Sequence, residues 1–330
     1  MQTTGIEYLS HTWNPIAMRC TRVSPGCTNC WHLRTADRLC ENSALPENER
    51  AALAGTGPFI LRGRELSAPL RARKPAVIGV QFMGDLFHEA VPEKFRNDAY
   101  NIMCRCKQHV FLILTKRPHV MHDHIFRNHE YDAHEMLRDH IYHGLTVCNQ
   151  QEWDAKKDHF LAVPGKKFIS HEPALGIIDY GPELREIAVL IAGGETGAGA
   201  RPTHPDVCRS DRDQCTAVEV RFCFKQWGEW APDDVSLFSG DDGVDYVMTH
   251  AGALMPMFVV SDSKRRANVG KLSSYRAFPM KPVVTKYGAS PLSGAPCKCS
   301  RIEILHRVGR EAAGRLLDGR THDELPWRAI

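Results

Sequence analysis

Seven short runs of β-forming residues, separated by stretches long enough for a helix or a loop, fix most of what this 330-residue chain can fold into. They fall at residues 6–9, the weakest, then 76–82, 109–114, 141–147, 167–170, 187–192 and 220–224. The runs at 76–82, 109–114 and 187–192 are almost continuously apolar, as expected of parallel strands covered on both faces. Strand, crossover, strand is the rhythm of a parallel sheet. At 43% hydrophobic, the chain is large enough for one α/β domain with additions, or for two domains.

Each run after the first leads directly into residues that are polar or rich in glycine. Met83-Gly84-Asp85, Thr115-Lys116-Arg117 and Cys148-Asn149-Gln150 come after the second, third and fourth runs. His171-Glu172-Pro173, Gly193-Gly194-Glu195 and Lys225-Gln226-Trp227 come after the next three. Parallel β/α barrels and doubly wound sheets both build their sites at the carboxyl ends of strands, so one rim and one large site are expected. Glu172, Glu195 and Lys225 are the candidate acid/base or charge-neutralising groups there, with Lys116 beside them. The competing role for any such residue is membership of a salt-bridge network.

Residues 1–230 carry the β/α pattern, and 41–75 interrupt it as an insertion broken up by Pro46, Gly55, Gly57, Pro58, Gly63 and Pro69. Residues 231–300 lack the rhythm and form an irregular extension, acidic first and then basic. Between 261 and 287, Lys264, Arg265, Arg266, Lys271, Arg276, Lys281 and Lys286 face the single acid Asp262, with Tyr275 and Phe278 interleaved. Such a stretch suits either a nucleic acid or plain solvent. Residues 301–330 are expected to pack on the main domain as a helical segment: Ala312, Ala313, Leu316 and Leu317 share a face, Gly319 stops the helix, and Thr321 with Glu324 forms a capping box.

The net charge of +3 does not by itself imply a polyanion partner. No run approaches the ~18 to 20 apolar residues of a membrane span, and the N-terminal residues lack a leader pattern, so a cytoplasmic protein with no membrane partner is expected. Twelve cysteines in that setting speak for metal ligands, redox thiols or core residues rather than disulfides. Cys104, Cys106, Cys148 and Cys223 lie in or beside apolar runs and read as core.

Cys20, Cys27 and Cys30 are different. They form a C-x6-C-x2-C loop after the first candidate strand and before a helix that starts near Trp31, and Pro25-Gly26 provides a turn to bring Cys20 back toward the pair. Three thiolates can hold three irons of a [4Fe–4S] cluster and leave the fourth iron open, whereas ordinary electron-transfer clusters take four protein ligands. Structural zinc, using Cys40 as a fourth thiolate, is the alternative ligand set, and a non-catalytic nucleic-acid-binding or partner protein stabilised by zinc or an iron–sulfur group is the alternative function.

The loop resembles the three-cysteine loop of radical S-adenosylmethionine (SAM) enzymes, with three residues more than their usual first gap. The segments Trp13-Asn14-Pro15, 83–92, 114–118, 171–176, 193–205, 224–230 and 313–326 resemble a phage and prophage family of unassigned activity, marked by a three-cysteine motif and similar to radical SAM enzymes. The resemblance implies a partial or full parallel β/α barrel with inserted and C-terminal extensions. It implies a [4Fe–4S] cluster on Cys20, Cys27 and Cys30, SAM as cofactor, and an electron donor of flavodoxin or ferredoxin type. It also implies a SAM amino-group contact at Gly84 and Asp85, after the second strand. Gly193, Gly194 and Glu195 match the letters of that glycine motif but come after the sixth strand, so they would face adenosine or substrate, and Asn149 would face ribose. The implied reaction is reductive cleavage of SAM, then hydrogen abstraction from a substrate. With the phage association and the basic stretch, a base in DNA or a nucleotide is the expected substrate.

Overall fold

A computed structural model of the chain describes residues 1–127, 139–232, 246–250, 258–260 and 302–327. Its main sheet begins with β1 (Gln2–Thr3) and β2 (His11–Trp13); a small pair, β3 (Ile16–Ala17) and β4 (Ile60–Leu61), stands apart. The main sheet continues with β5 (Val77–Val80), β6 (Val110–Thr115), β7 (Ile141–Val147), β8 (Lys166–His171), β9 (Val189–Gly193) and β10 (Arg221–Gln226). The eight strands lie in the order β1-β2-β5-β6-β7-β8-β9-β10, all parallel from β2 onward, with β1 antiparallel at the edge. Six of the seven runs seen in the sequence are strands within two residues at either end. The run at 6–9 is not: Tyr8 and Leu9 are buried in a turn, and the parallel strand is the three-residue His11–Trp13.

Between the strands run α5 (Glu93–Arg105), α6 (Pro118–Arg127), α7 (Gln150–Ala162) and α8 (Pro205–Ala217), preceded in the chain by α1 (Trp31–Cys40), α2 (Glu47–Ala54), α3 (Gly63–Leu66) and α4 (Ala68–Arg71). The last three of these fill the expected insertion with short pieces. Right-handed crossovers between neighbours taken in sequence order put every crossover helix on one face. The packing shows it. Ala99, Tyr100 and Met103 of α5, Met121 and Ile125 of α6, Trp153 and Phe160 of α7, and Val207 and Cys215 of α8 share one core with Phe111, Ile113, Ile169 and Phe224.

Alternate residues on the same strands, Val110, Leu112, Tyr142, Phe168, Ile191 and Cys223, belong to a second core that contains none of those helices. Tyr8, Leu9, Leu325 and Trp327 cover it. Trp327 stacks edge-on to Tyr142 at 5.0 Å and donates its Nε1–H to the Tyr8 carbonyl at 3.1 Å. Strand pairing leaves the sheet open: β1 takes one edge, and at the other His322 and Glu324 exchange backbone hydrogen bonds with Phe224 and Phe222 of β10.

That edge pairing corrects the helical segment expected for 301–330. Among the described residues of that segment only Arg310–Ala313 is helical (α9), ending before Gly314 at φ +66°; Leu316 is exposed and Thr321 and Glu324 cap no described helix. An unpaired edge of β10 would leave backbone groups unmet, and the segment supplies them. A second sheet of four antiparallel strands joins β11 (Trp230–Pro232), β14 (Ile302–Arg307), β12 (Tyr246–His250) and β13 (Phe258–Val260). The basic stretch at 261–287 lies outside the described residues. Cys104, Cys106, Cys148 and Cys223 are buried as expected. No described helix is long and apolar enough to cross a membrane.

His143 of β7 is fully buried beside Tyr100, whose hydroxyl lies 2.9 Å from Nε2. Burial, helped by Lys167 and His124, lowers its pKa to about 3. The unfolded chain takes up that proton near pH 6.5, so the stability contributed by neutral His143 is complete above that pH and is lost as pH falls toward 3. Unfolding free energy should fall by about 1.4 kcal/mol per pH unit on this account between roughly pH 6 and 4. In urea titrations across that range, His143→Gln should show the shallower decline; equal slopes would remove His143 as the cause.

Candidate functional site

The residues Leu112, Leu114 and Lys116, then Tyr142 and Thr146, Phe168, Ser170 and Glu172, and Cys223 and Lys225 alternate along their strands, and so share the face that carries no crossover helix. Their lower members make the second core. Their upper members, at the carboxyl ends, line a cavity of about 190 Å³. The cysteine loop lines the same cavity: Cys20, Cys27 and Cys30 all take part, with Gly26, Asn29, Trp31 and His32. Gly84, Asp85, Glu172, Gly194, Glu195 and Lys225 line it too, so five of the six clusters expected on one rim meet at this cavity, and Cys148-Asn149-Gln150 does not.

The loop owes its shape to local bonds. Ser24 accepts from the Gly26 N–H and starts a single 3₁₀ turn, Pro25–Cys27, whose Cys27 N–H bonds the Ser24 carbonyl at 2.9 Å. Cys30 then stands at the N-cap of α1, and Leu33 and Ala36 bury the inward face of that helix. Cys27 is buried, while Cys20 and Cys30 are half-buried. Cys40, at the far end of α1, does not line the cavity; its thiol points to the Asp37 carbonyl at 3.0 Å.

A carboxylate network anchors the Cys20 end. Asp85 accepts from the Phe87 N–H at 2.9 Å, the Thr115 hydroxyl at 2.7 Å, the Lys116 N–H at 3.2 Å and Arg117 Nη1 at 3.1 Å. Arg117 also grips Glu89 through Nε at 2.8 and 2.9 Å, donates to the Thr21 hydroxyl at 2.7 Å, and places Nη1 3.7 Å from Cys20 Sγ. Burial pushes the Cys20 thiol up to about 12, with Asp85 adding to the rise and Arg117 opposing it. Asp85, expected to contact an amino group, lines the cavity and accepts from four protein donors, so its carboxylate also braces the rim. Gly84 has φ +137°, and a Cβ there would stand 2.6 Å from Met18 Sδ, so its backbone is what the turn requires.

Glu195 anchors the other end. Buried to 6% exposure, it pairs with Arg201 through both carboxylate oxygens at 2.5 and 2.8 Å and accepts from Asn29 Nδ2 at 2.9 Å. Arg201 continues to the Pro25 carbonyl at 3.0 Å, and Arg34 of α1 donates to the carbonyls of Thr196 and Ala198 at 2.9 Å. The turn after β9 thus clamps the cysteine loop, and Glu195, expected to be catalytic or cofactor-binding, lines the cavity while it holds that clamp. The preceding glycines have a packing reason: a Cβ on Gly194 would fall 1.8 Å from the Trp227 carbonyl oxygen, and one on Gly193 would meet Glu172 Oε1 at 3.1 Å. Asn149 lies outside the cavity lining and corrects the ribose expectation, because its side chain accepts from the Glu152 N–H at 3.0 Å and caps α7.

Glu172 and Lys225 hold the floor. Lys225 Nζ lies 2.6 Å from Glu172 Oε1; the other carboxylate oxygen accepts from Ser170 Oγ at 3.1 Å and the Tyr8 hydroxyl at 3.4 Å. The Lys225 ammonium also stands 5.6 Å from the Tyr8 ring. Tyr8, Ser170, Arg117, Arg201, Asn29 and His32 are members of the site that the sequence does not single out. Arg117 was within reach, as the third residue of the cluster after β6; the others come from elements whose facing depends on the fold.

A family model described as proteins of unknown function, DUF5131, matches residues 3–326. The chain belongs to the DUF5131 family. No curated protein and no solved structure matches it. The DUF5131 region takes in the cysteine loop, both of its anchors and the floor.

A metal group makes demands that the donors of this DUF5131 chain meet only in part. Among the described residues no three Cys, His, Asp or Glu side chains form a group that could hold one metal ion. A single tetrahedral ion needs its sulfurs about 4 Å apart. A cluster instead takes one thiolate per iron around a larger body, and three cysteines line this cavity. His32 also lines the cavity, and both of its buried ring nitrogens lack a partner.

The clamp makes a prediction of its own. Arg201→Leu leaves the Glu195 carboxylate with only Asn29 and the residue 201 N–H, a loss of charged hydrogen bonds that should cost about 2 kcal/mol. Urea unfolding would measure it, and alkylation of Cys27 in the native state should become faster as the loop loosens.

Proposed function

We propose that this chain is an iron–sulfur enzyme of the radical SAM type, with a cluster on Cys20, Cys27 and Cys30 and SAM as cofactor. The observation that carries the reading is the position of those thiols: all three line one cavity at the carboxyl rim of a parallel sheet whose strands run in sequence order, and no other described cysteine lines it. A bound cluster would supply the electron that cleaves SAM, and the carbon radical so released would abstract hydrogen from the substrate.

The chain's own residues do the rest. Arg117 places a positive charge beside Cys20 and offsets part of the negative charge that thiolates bring. The clamp of Glu195, Arg201 and Asn29 fixes the loop. Glu172 and Lys225, expected as catalytic residues, face the cavity as a hydrogen-bonded pair able to hold or pass a proton at Glu172 Oε1 or Lys225 Nζ. Trp327, Leu325 and Leu9 close the sheet face beneath them against water. A base in DNA or a nucleotide is the proposed substrate, a flavodoxin- or ferredoxin-type protein the proposed electron donor, and the cytoplasm the proposed compartment.

Anaerobic reconstitution with iron and sulfide should give a protein containing both, with thiolate-to-iron absorbance. After reduction it should convert SAM slowly to methionine and 5′-deoxyadenosine, even with no substrate present. Zinc alone with no inorganic sulfide, or a reduced cluster whose spectrum ignores SAM and which yields no 5′-deoxyadenosine, would sink the assignment.

A further inference from the structure

His32 is the second residue of α1 and two residues past Cys30. It is 2% exposed, and neither Nδ1 nor Nε2 meets a hydrogen-bond partner. Among the described residues that line the cavity, it is the one with buried, unmet side-chain polar atoms. Elsewhere among the described residues His171 reaches Asp211 at 2.8 Å and His143 Nε2 reaches Tyr100 at 2.9 Å; His109, His124, His143 and His204 each have one unmet ring nitrogen, and His32 alone has both. A buried donor and acceptor left unmet weaken the fold. The chain keeps such a group in the lining of the cavity that its three rim cysteines also line.

We propose that His32 is the fourth protein group of the cysteine site, donating a hydrogen bond from one ring N–H to a sulfur of an iron–sulfur cluster held by Cys20, Cys27 and Cys30. The inference rests on the cluster reading above and adds to it the residue that tunes the cluster. Side chains two positions apart at the start of a helix do not face each other, so His32 does not share the iron of Cys30. It reaches the body of the cluster instead. A hydrogen bond to sulfur favours the more negative, reduced state and therefore raises the reduction potential. Donation from one nitrogen also fixes the tautomer and leaves the other nitrogen as an acceptor.

The test compares reconstituted parent, His32→Ala and His32→Gln proteins for iron and sulfide content and for midpoint potential measured by electron paramagnetic resonance. All three should hold equal iron and sulfide. The potential should be lowest in His32→Ala and intermediate in His32→Gln, which keeps an N–H donor. Equal potentials in the parent and His32→Ala overturn the inference while the cluster reading stands. Loss of iron from His32→Ala to the level of Cys27→Ala makes His32 a ligand and overturns it as well. A parent protein that takes up no iron–sulfur cluster removes the reading beneath it, and the inference with it. The metal-free protein gives a separate readout: His32→Leu removes the two unmet nitrogens and should raise Tm. A lower Tm would identify His32 as a packing residue of α1 and refute the donor role.

Discussion

Cys27→Ala should leave the reconstituted protein without a cluster and without any 5′-deoxyadenosine product, and Cys20→Ala and Cys30→Ala should do the same. Cys40→Ala should keep both. The expectation comes from the wall of the cavity: three thiols line it, and Cys40 turns to the Asp37 carbonyl at the other end of its helix. Nor can Cys148 step in. It packs behind the loop, its Cβ 3.7 Å from the position a Gly26 Cβ would take, and burial with the nearby Glu152 pushes its thiol up to about 12. Iron and sulfide analysis of the four variants decides the matter, and an equal loss in Cys40→Ala would favour a four-thiolate zinc site.

Arg117→Leu should destabilise the metal-free protein by about 3–5 kcal/mol, because it strands a buried carboxylate. The Arg117 and Asp85 side chains are 2% and 4% exposed, and the substitution leaves Asp85 with two backbone N–H groups and the Thr115 hydroxyl to hold a full negative charge. It also releases Thr21 and the approach to Cys20. Urea unfolding measures the loss, and Asp85→Ala should be destabilising for the mirror-image reason. If Arg117→Leu unfolds within about 1 kcal/mol of the parent, the worth of one ordinary hydrogen bond, the network is not holding the rim.

The rim was legible in the sequence because strands buried on both faces leave long apolar runs, and the polar residues just beyond them stand out. The first parallel strand was not: His11–Trp13 is too short and too polar to register, while the apolar letters at 6–9 belong to a turn that covers the sheet. Asn149 did carry its own signal, since an Asn three residues before Glu152 is the pattern of a helix cap. Gly193 and Gly194 match the letters of a cofactor motif, and the fold gives a packing reason as well: a Cβ on Gly194 would strike the Trp227 oxygen, and one on Gly193 would press on the Glu172 side chain. Asp85 and Glu195 look free in sequence because their partners, Arg117 and Arg201, are assigned only by the fold. His32 gave no pattern at all, as a lone histidine has no periodicity to read.

The bond from Trp327 to the Tyr8 carbonyl joins residues 319 positions apart. Contacts of such separation are the slowest kind to form, since the whole intervening loop must be closed before they reward the chain. During synthesis, the sheet from β2 to β10 can assemble strand by strand from near neighbours, while the Tyr8 ring beside Lys225 waits for its cover. An immature chain would thus present its cysteines on a nearly finished rim while the sheet face beneath lacks the cover of Leu325 and Trp327.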